Sequence, residues 1–404
     1  MSGAANGPRP LEGVRVVEMG SLLAGPFCGQ LLGDFGAEVI KVEPPGKGDP
    51  MREWGRHRKN GRTLWWPIIA RNKKSITLNL REDEGQDLAR RLIREADVLV
   101  ENFRPGTMER WGLGYRELSQ VNDGLVMVRV SGFGQTGPYR KRAGFGSIGE
   151  AMGGIRHITG YPDQPPPRTG ISLGDSLAAT FGALGALTAL YHRDAHGGMG
   201  QVVDVGIYEA VLALMESTIP EYELTGHVRG RTGSVLPFVA PSNIYPTKEE
   251  DYVLIAANAD NVFARFSEAI GHPDWTEDKQ YATHHARGEH MEELDAMISD
   301  WSRERGVEQI LETMAEAGVP AGKVFTAADM TQDEHYAARE NVIKIQDPEI
   351  GDFPMQNVVP RLTETPGEVH WTGPGLGEHN EEVYAELLKL DDNERSGLLQ
   401  RGII

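Results

Sequence analysis

The first 130 residues alternate short β-branched runs with stretches long enough for a helix. Val14-Arg15-Val16-Val17-Glu18-Met19 is followed by a helical stretch over 22–34 and by Val39-Ile40-Lys41-Val42-Glu43. Ser75-Ile76-Thr77-Leu78-Asn79-Leu80 reads as a third strand, 83–95 as a charged helix, 97–100 as a fourth strand and 125–130 as a fifth. The spacers are too long for hairpins. Such alternation predicts parallel strands with helices on both faces of the sheet. A long apolar helix over 176–192, a strand over 202–205 and a helix over 208–224 continue the pattern. The expectation is an α/β fold with a Rossmann-like doubly wound sheet in a large domain.

The dinucleotide signature of such sheets is absent. The first strand-to-helix turn runs from Gly20 to Gly25 without the G-x-G-x-x-G spacing, although Glu43 closes the second strand where a ribose-binding acid would stand. Gly132, Gly134 and Gly137 have the right spacing, but Pro138-Tyr139-Arg140-Lys141-Arg142 follows in place of an apolar helix, so a mobile loop is expected there. From Gly226 to Pro246 the chain turns rich in Gly, Pro and Arg. Tyr252-Val253-Leu254-Ile255-Ala256 then opens a second unit with amphipathic helices near 261–270, 289–303 and 307–317, an acidic helix near 327–336, short strands within 342–361 and a terminal helix from Lys389. The expected organisation is a large domain over 10–225, a linker and smaller α+β domain over 226–330, and a return segment over 331–404 that completes the large domain.

Charge narrows the partners. With 41 basic against 59 acidic residues the formal charge is -18, which disfavours nucleic acid and anionic membrane. An anionic ligand would need a local cluster. One stands in the sequence: Arg52, Arg56, Arg58, Lys59, Arg62, Arg71, Lys73 and Lys74, opposed over that stretch only by Glu53. It reads either as a solvated face or as a phosphate site. Cys28 is the single cysteine, so no internal disulfide or cysteine metal site is expected. Met1 to Pro10 reads as a floppy tail without a signal-peptide core, and no stretch reads as reaching the length of a membrane span, so the expectation is a cytoplasmic protein. His284-His285 point in different directions, and His272, His290 and His335 share no ligand spacing. Neither a metal nor a tightly bound cofactor is expected.

Gly170-Ile171-Ser172-Leu173-Gly174 fits the spacing of a nucleophile elbow, but Pro165-Pro166-Pro167 stands where the elbow needs a strand. Asp175 is the stronger candidate. With a helix starting at Ser176, its carboxylate meets free N–H groups and the positive end of the helix dipole, both of which favour the anion. A plain N-cap aspartate would look the same. Gly170 and Gly174 add room for close approach of a substrate. His157, after Gly153-Gly154, reads as a base or as an ordinary loop histidine.

Taken in order, the segments Leu11–Glu18, Ala24–Pro26, Gly36–Glu43, Gly46–Asp49, Asn72–Ser75, Glu101–Gly106, Ser131–Gly134 with Gly137–Tyr139, and Gly174–Ser176 resemble the family III CoA-transferases, whose divergent branch includes acyl-CoA racemases. The resemblance implies a nucleotide-fold domain, a smaller second domain and two ring-like subunits interlocked as a homodimer, or paired with a similar subunit. It implies that Asp175 attacks an acyl-CoA thioester and then carries coenzyme A, a substrate rather than a resident cofactor. By position, Lys73, Lys74, Asn102, Phe103, Arg104, Arg110 and Arg142 would contact CoA, and Trp54, Phe145, Arg168, Arg231 and Gly233 would lie by the acyl substrates. The racemase branch needs a histidine in the segment where this chain has Phe145, which argues against α-proton transfer as the alternative activity. Formyl-CoA transferase carries a glycine run where this chain has Gly230-Arg231-Thr232-Gly233-Ser234, which argues against oxalate. The string from Arg168 to Ala179 looks most like transferases that use succinyl-CoA and a C4–C6 dicarboxylate. Arg231 and Arg168 are the candidates for a second carboxylate.

Overall fold

The computed structural model describes residues 7–404; the first six residues of the expected tail lie outside the described residues. By contacts the chain divides into two units. One comprises the chain up to Ile155, Thr169–Pro220 and Ala337–Ile404, and the other Arg156–Arg168 and Glu221–Tyr336.

The first unit is organised by six parallel strands: β1 (Arg15–Glu18), β2 (Glu38–Glu43), β3 (Lys73–Thr77), β4 (Val98–Glu101), β5 (Val126–Ser131) and β6 (Val202–Gly206), in the order β3-β2-β1-β4-β5-β6. Successive side chains point to opposite faces, and the β-branched runs exploit this fully. Val16 lies opposite Val39 and Val98, and Val17 opposite Ile40 and Leu99. Val16, Val39, Val98 and Val126 therefore share one core with Cys28, Leu32 and the alanines of the long helix. Val17, Ile40, Leu99 and Met127 share the other with Leu88, Leu92 and the C-terminal Tyr384 and Ile404. Helices α1 (Ala24–Gly33) and α2 (Asp83–Arg94) follow β1 and β3.

The expected helix over 176–192 is longer: α4 spans Leu173–His196, and a short α3 (Gly146–Met152) precedes it. By length and composition alone α4 could cross a membrane, which corrects the reading that no stretch is that long. Its small residues pack against the sheet. Ala178, Ala179 and Ala186 are fully buried, and a Cβ at Gly182 would lie 3.2 Å from Val128 Cγ1. The single helix expected over 208–224 is two, α5 (Ile207–Leu212) and α6 (Thr218–Thr225), because Glu216 between them takes a left-handed φ of 49°.

An edge strand exposes unpaired peptide groups, and the C-terminal segment covers those of β3 mainly with side chains rather than with another strand, with one backbone bond from His379 N to Ser75 O at 2.9 Å. Trp371 Nε1 donates to Lys73 O at 2.9 Å, and Tyr384 Oη to Thr77 O at 2.6 Å. His379 Nδ1 accepts from Ser75 N at 3.2 Å, and Asn380 Oδ1 from Thr77 N at 2.9 Å.

In the second unit β7 (Ser242–Pro246), β8 (Tyr252–Ala256) and β9 (Ala321–Lys323) form an antiparallel sheet in the order β9-β8-β7. Val253 and Ile255 point into a core with Tyr245 of β7 and with Phe263, Phe266, Leu294 and Ile310 from three amphipathic helices.

Candidate active site

Asp175 is not the N-cap that the sequence suggested. Leu173 and Gly174 already wind into the helix, so Ser172 takes the cap position and Asp175 is the third residue of α4. It still lies in the turn whose N–H groups lack carbonyl partners and where the dipole favours an anion. No strand leads into Ser172, so the elbow geometry is missing. The wall facing the Asp175 carboxylate is a glycine. A Cβ at Gly146 would fall 2.3 Å from Asp175 Oδ2 and 2.7 Å from its Cγ, so only a bare Cα fits there. Behind it Gly144 meets Gly132, where a Cβ would lie 2.9 Å from Gly144 Cα. Phe145, between Gly144 and Gly146, is 67% exposed. On the buried side Glu150, in α3, accepts a hydrogen bond from Gly174 N at 3.2 Å.

The strand order reverses between β1 and β4, the place where ligands enter doubly wound sheets at the strands' carboxyl ends. A cavity of about 690 Å³ opens there, lined by the Gly20-Ser21 turn, Pro44, Pro45, Leu78, Phe103 and Trp111 among others. Phe103 and Trp111 meet edge to face at 5.1 Å. Asn102 does not point into the cavity with a free amide: Oδ1 accepts from Ser21 N and Nδ2 donates to Ser21 O, both at 2.8 Å. Its work is to hold the turn. Leu22, next along, has a left-handed φ of 64°, which a branched residue adopts only when its surroundings enforce it. Asp49 supplies that hold, with Oδ1 accepting from Leu22 N at 3.0 Å and Oδ2 paired with Lys41 Nζ at 2.7 Å. Burial pushes the Asp49 carboxyl up, but Lys41 and the backbone donors more than offset this and hold it below the usual range.

The basic stretch does not form one patch. Six of its eight cations pair with acids, four of them with acids more than 30 residues away: Arg52 with Glu43, Arg58 with Glu53, Arg62 with Asp347, Arg71 with Asp34, Lys73 with Glu18 and Lys74 with Glu38 and Glu382. Lys73 is fully buried, its Nζ 2.8 Å from Glu18 and donating to Pro26 O, so it is removed from the set of phosphate contacts. Lys74 lies by Arg9 and His370 in a separate small cavity at the amino ends of the strands. The cations on the large cavity that carry no ion pair among the described residues are Lys47 and Arg81, both exposed. The sequence reading had named neither.

Arg104 is exposed in the loop after β4, and Arg110 donates to Thr107 Oγ1 at 2.9 Å. Arg142 lies 3.6 Å over the Tyr139 ring. Trp54 is 42% exposed and meets Trp65 edge to face at 5.9 Å. The remaining candidates belong to the second unit. Arg168 is exposed. Arg231 gives its donors to the carbonyls of His157, Tyr161 and Pro162, and Gly233, with φ 70°, donates its N–H to Gly160 O at 2.9 Å.

Relatives of known activity share this chain from end to end. It is 62% identical over 397 residues, 98% of both chains, to the succinyl-CoA–D-citramalate CoA-transferase of Chloroflexus aurantiacus. It is 42% identical, over 98% of this chain and 92% of the other, to the alpha subunit of succinyl-CoA–L-malate CoA-transferase from the same organism. Among solved structures, a CaiB/BaiF family protein from Brucella suis superposes with a TM-score of 0.83 at 33% identity, over 94% of this chain and 100% of that one. The family model of CoA-transferase family III matches residues 11–380, and the chain belongs to that family of enzymes.

Proposed function

We propose that this chain transfers coenzyme A from succinyl-CoA to a C4–C6 dicarboxylate, with Asp175 as the nucleophile. The observation that carries the reading is the Asp175 carboxylate set in the first turn of α4 against the bare Cα of Gly146. An anion held there, with open space maintained by glycine, suits attack on a thioester carbonyl. The names of the two Chloroflexus relatives support the donor and the acceptor class.

The steps balance without water or redox change. Asp175 attacks the succinyl carbonyl, the C–S bond breaks, and CoA thiolate leaves a mixed anhydride. The thiolate attacks the aspartyl carbon of the anhydride and expels succinate, giving an aspartyl-CoA thioester. The acceptor carboxylate attacks that carbon and releases the thiolate, which then takes the acceptor's acyl carbon and returns Asp175 as a carboxylate. Backbone N–H groups at the helix start or in the nearby loops suit the tetrahedral oxyanions.

CoA enters the cavity at the strand ends, with Phe103 against its apolar portion and Lys47, Arg81, Arg104, Arg110 and Arg142 serving its phosphates. Trp54 and Phe145 border the acyl groups. Arg168 and Arg231 are the proposed anchors of the acceptor's second carboxylate, and Gly233 shapes the loop that carries Arg231. Racemisation is disfavoured because Phe145 offers no proton-transferring group. The working form is a homodimer in the cytoplasm, without a tightly bound cofactor. The exposed apolar row Leu184, Leu187 and Tyr191 on α4 supports association, and the alpha and beta subunits named among the relatives make a paired similar chain the alternative. Incubation with succinyl-CoA and a panel of dicarboxylates, read by mass spectrometry of new thioesters, tests the reading. Product with D-citramalate or malate and none in Asp175→Ala is expected; turnover in that variant sinks the nucleophile.

A further inference from the structure

One buried acid beside the nucleophile takes no part in the steps above. Glu150 is 0% exposed and lies on α3, one turn after the glycine that walls the Asp175 carboxylate. Its Oε1 accepts from the N–H of Gly174, the residue immediately before Asp175. That N–H belongs to the first turn of α4, where no helical carbonyl is available to it. At an exposed helix end water would take it; here the position is closed off.

The packing shows how completely. A Cβ at Gly174 would lie 2.9 Å from Gly146 O and 3.1 Å from Glu150 Cγ, and one at Gly149 would lie 2.4 Å from Ile207 Cγ2. Gly174 meets the Gly146 carbonyl across α3 and the start of α4, and Gly149 makes room for Ile207 of α5. The Glu150 side chain is the polar group placed to fix the peptide plane that leads into Asp175. An apolar residue of the same size would fill the space and leave the Gly174 N–H buried without an acceptor, a state that folded proteins avoid.

We propose that Glu150 is a positioning residue: by holding Gly174 N–H it fixes the first turn of α4, so that the Asp175 carboxylate stays against Gly146 in the orientation for attack. The role rests on Asp175 being the nucleophile. It requires an acceptor oxygen at 150, which Gln keeps and Met lacks.

The test compares Glu150→Gln, Glu150→Met and Asp175→Ala in the full-length enzyme, with succinyl-CoA as donor. Glu150→Met is expected to lose about 100-fold in kcat, the scale of an ångström-sized misplacement, with KM for succinyl-CoA within about twofold of wild type. Glu150→Gln should stay within about threefold of wild type in both constants. Hydrogen exchange should accelerate in the peptide containing Gly174 for Glu150→Met but not for Glu150→Gln. Glu150→Leu replaces the Met variant if the latter does not fold. Unchanged kcat in the acceptor-less variant beside a dead Asp175→Ala overturns the positioning role alone, as does a Gln variant that falls as far as Met. Turnover in Asp175→Ala overturns the nucleophile assignment and the positioning role with it.

Discussion

Replacing Gly146 by alanine tests the contact on which the proposed chemistry depends. The residue's φ lies outside the left-handed region, so alanine brings no backbone strain, and the whole effect comes from one added methyl. That methyl would stand 2.3 Å from Asp175 Oδ2, against a comfortable separation of about 3.5 Å. Something must move by about 1 Å, and the softest object is the carboxylate, at the end of a short side chain that can rotate. Misplacement of a reacting group by that distance costs roughly 100-fold in rate, or about 2.7 kcal/mol of barrier. Stability should suffer less than the ~1–3 kcal/mol typical of overpacking, because a rotated carboxylate relieves the clash. Steady-state CoA transfer from succinyl-CoA and a thermal melt read the two quantities on one preparation. Gly322→Ala, where an added Cβ meets nothing within 4 Å, is the control. A Gly146→Ala enzyme with kcat within about threefold of wild type would refute the claim that this wall sets the carboxylate's place.

Two further outcomes are expected. Reversing charge at the cavity rim, in Lys47→Glu with Arg81→Glu, should raise KM for succinyl-CoA about tenfold at low salt, less at high salt, and leave kcat alone; an unchanged KM excludes these cations from phosphate binding. His379, clamped to the β3 edge, has its imidazole held below the ordinary value of 6.5, chiefly by burial. It is neutral in the folded chain, so its contribution to stability is complete above pH 6.5 and is lost as pH falls below that value, where the unfolded chain takes up a proton that the folded chain resists. Denaturant melts between about pH 6.5 and pH 5 should show a shallower loss for His379→Asn than for wild type; identical slopes would remove His379 from the acid response.

The sheet was legible because strand residues alternate between two cores, and runs such as Val16-Val17 and Val98-Leu99 serve both faces at once. Helix starts were less so. The sequence reads as a helix from Ser176, yet Leu173 and Gly174 wind into α4, and the Gly174 N–H finds Glu150, 24 residues away. That pairing leaves no local mark. The basic stretch misled for the same reason: Arg62 meets Asp347 across 285 residues and Lys74 meets Glu382 across 308, so closeness along the chain did not become a charged surface. Asp175 was singled out by residue type and by its neighbouring segments, whereas Gly146, against which its carboxylate lies, carries no side chain to notice.

The side-chain seal on β3 has a cost in time. Lys73 and Trp371 are 298 residues apart, and at ~5–20 residues per second a ribosome needs roughly 15–60 s to make that interval. Throughout it the β3 segment lacks these partners, and its edge stays open to any other extended chain. A frameshift or stop before Trp371 would therefore release not a smaller stable domain but a sheet with an adhesive border, and such fragments should collect in inclusion bodies. For the intact chain, solubility during synthesis depends on whatever shields β3 until its own last residues arrive.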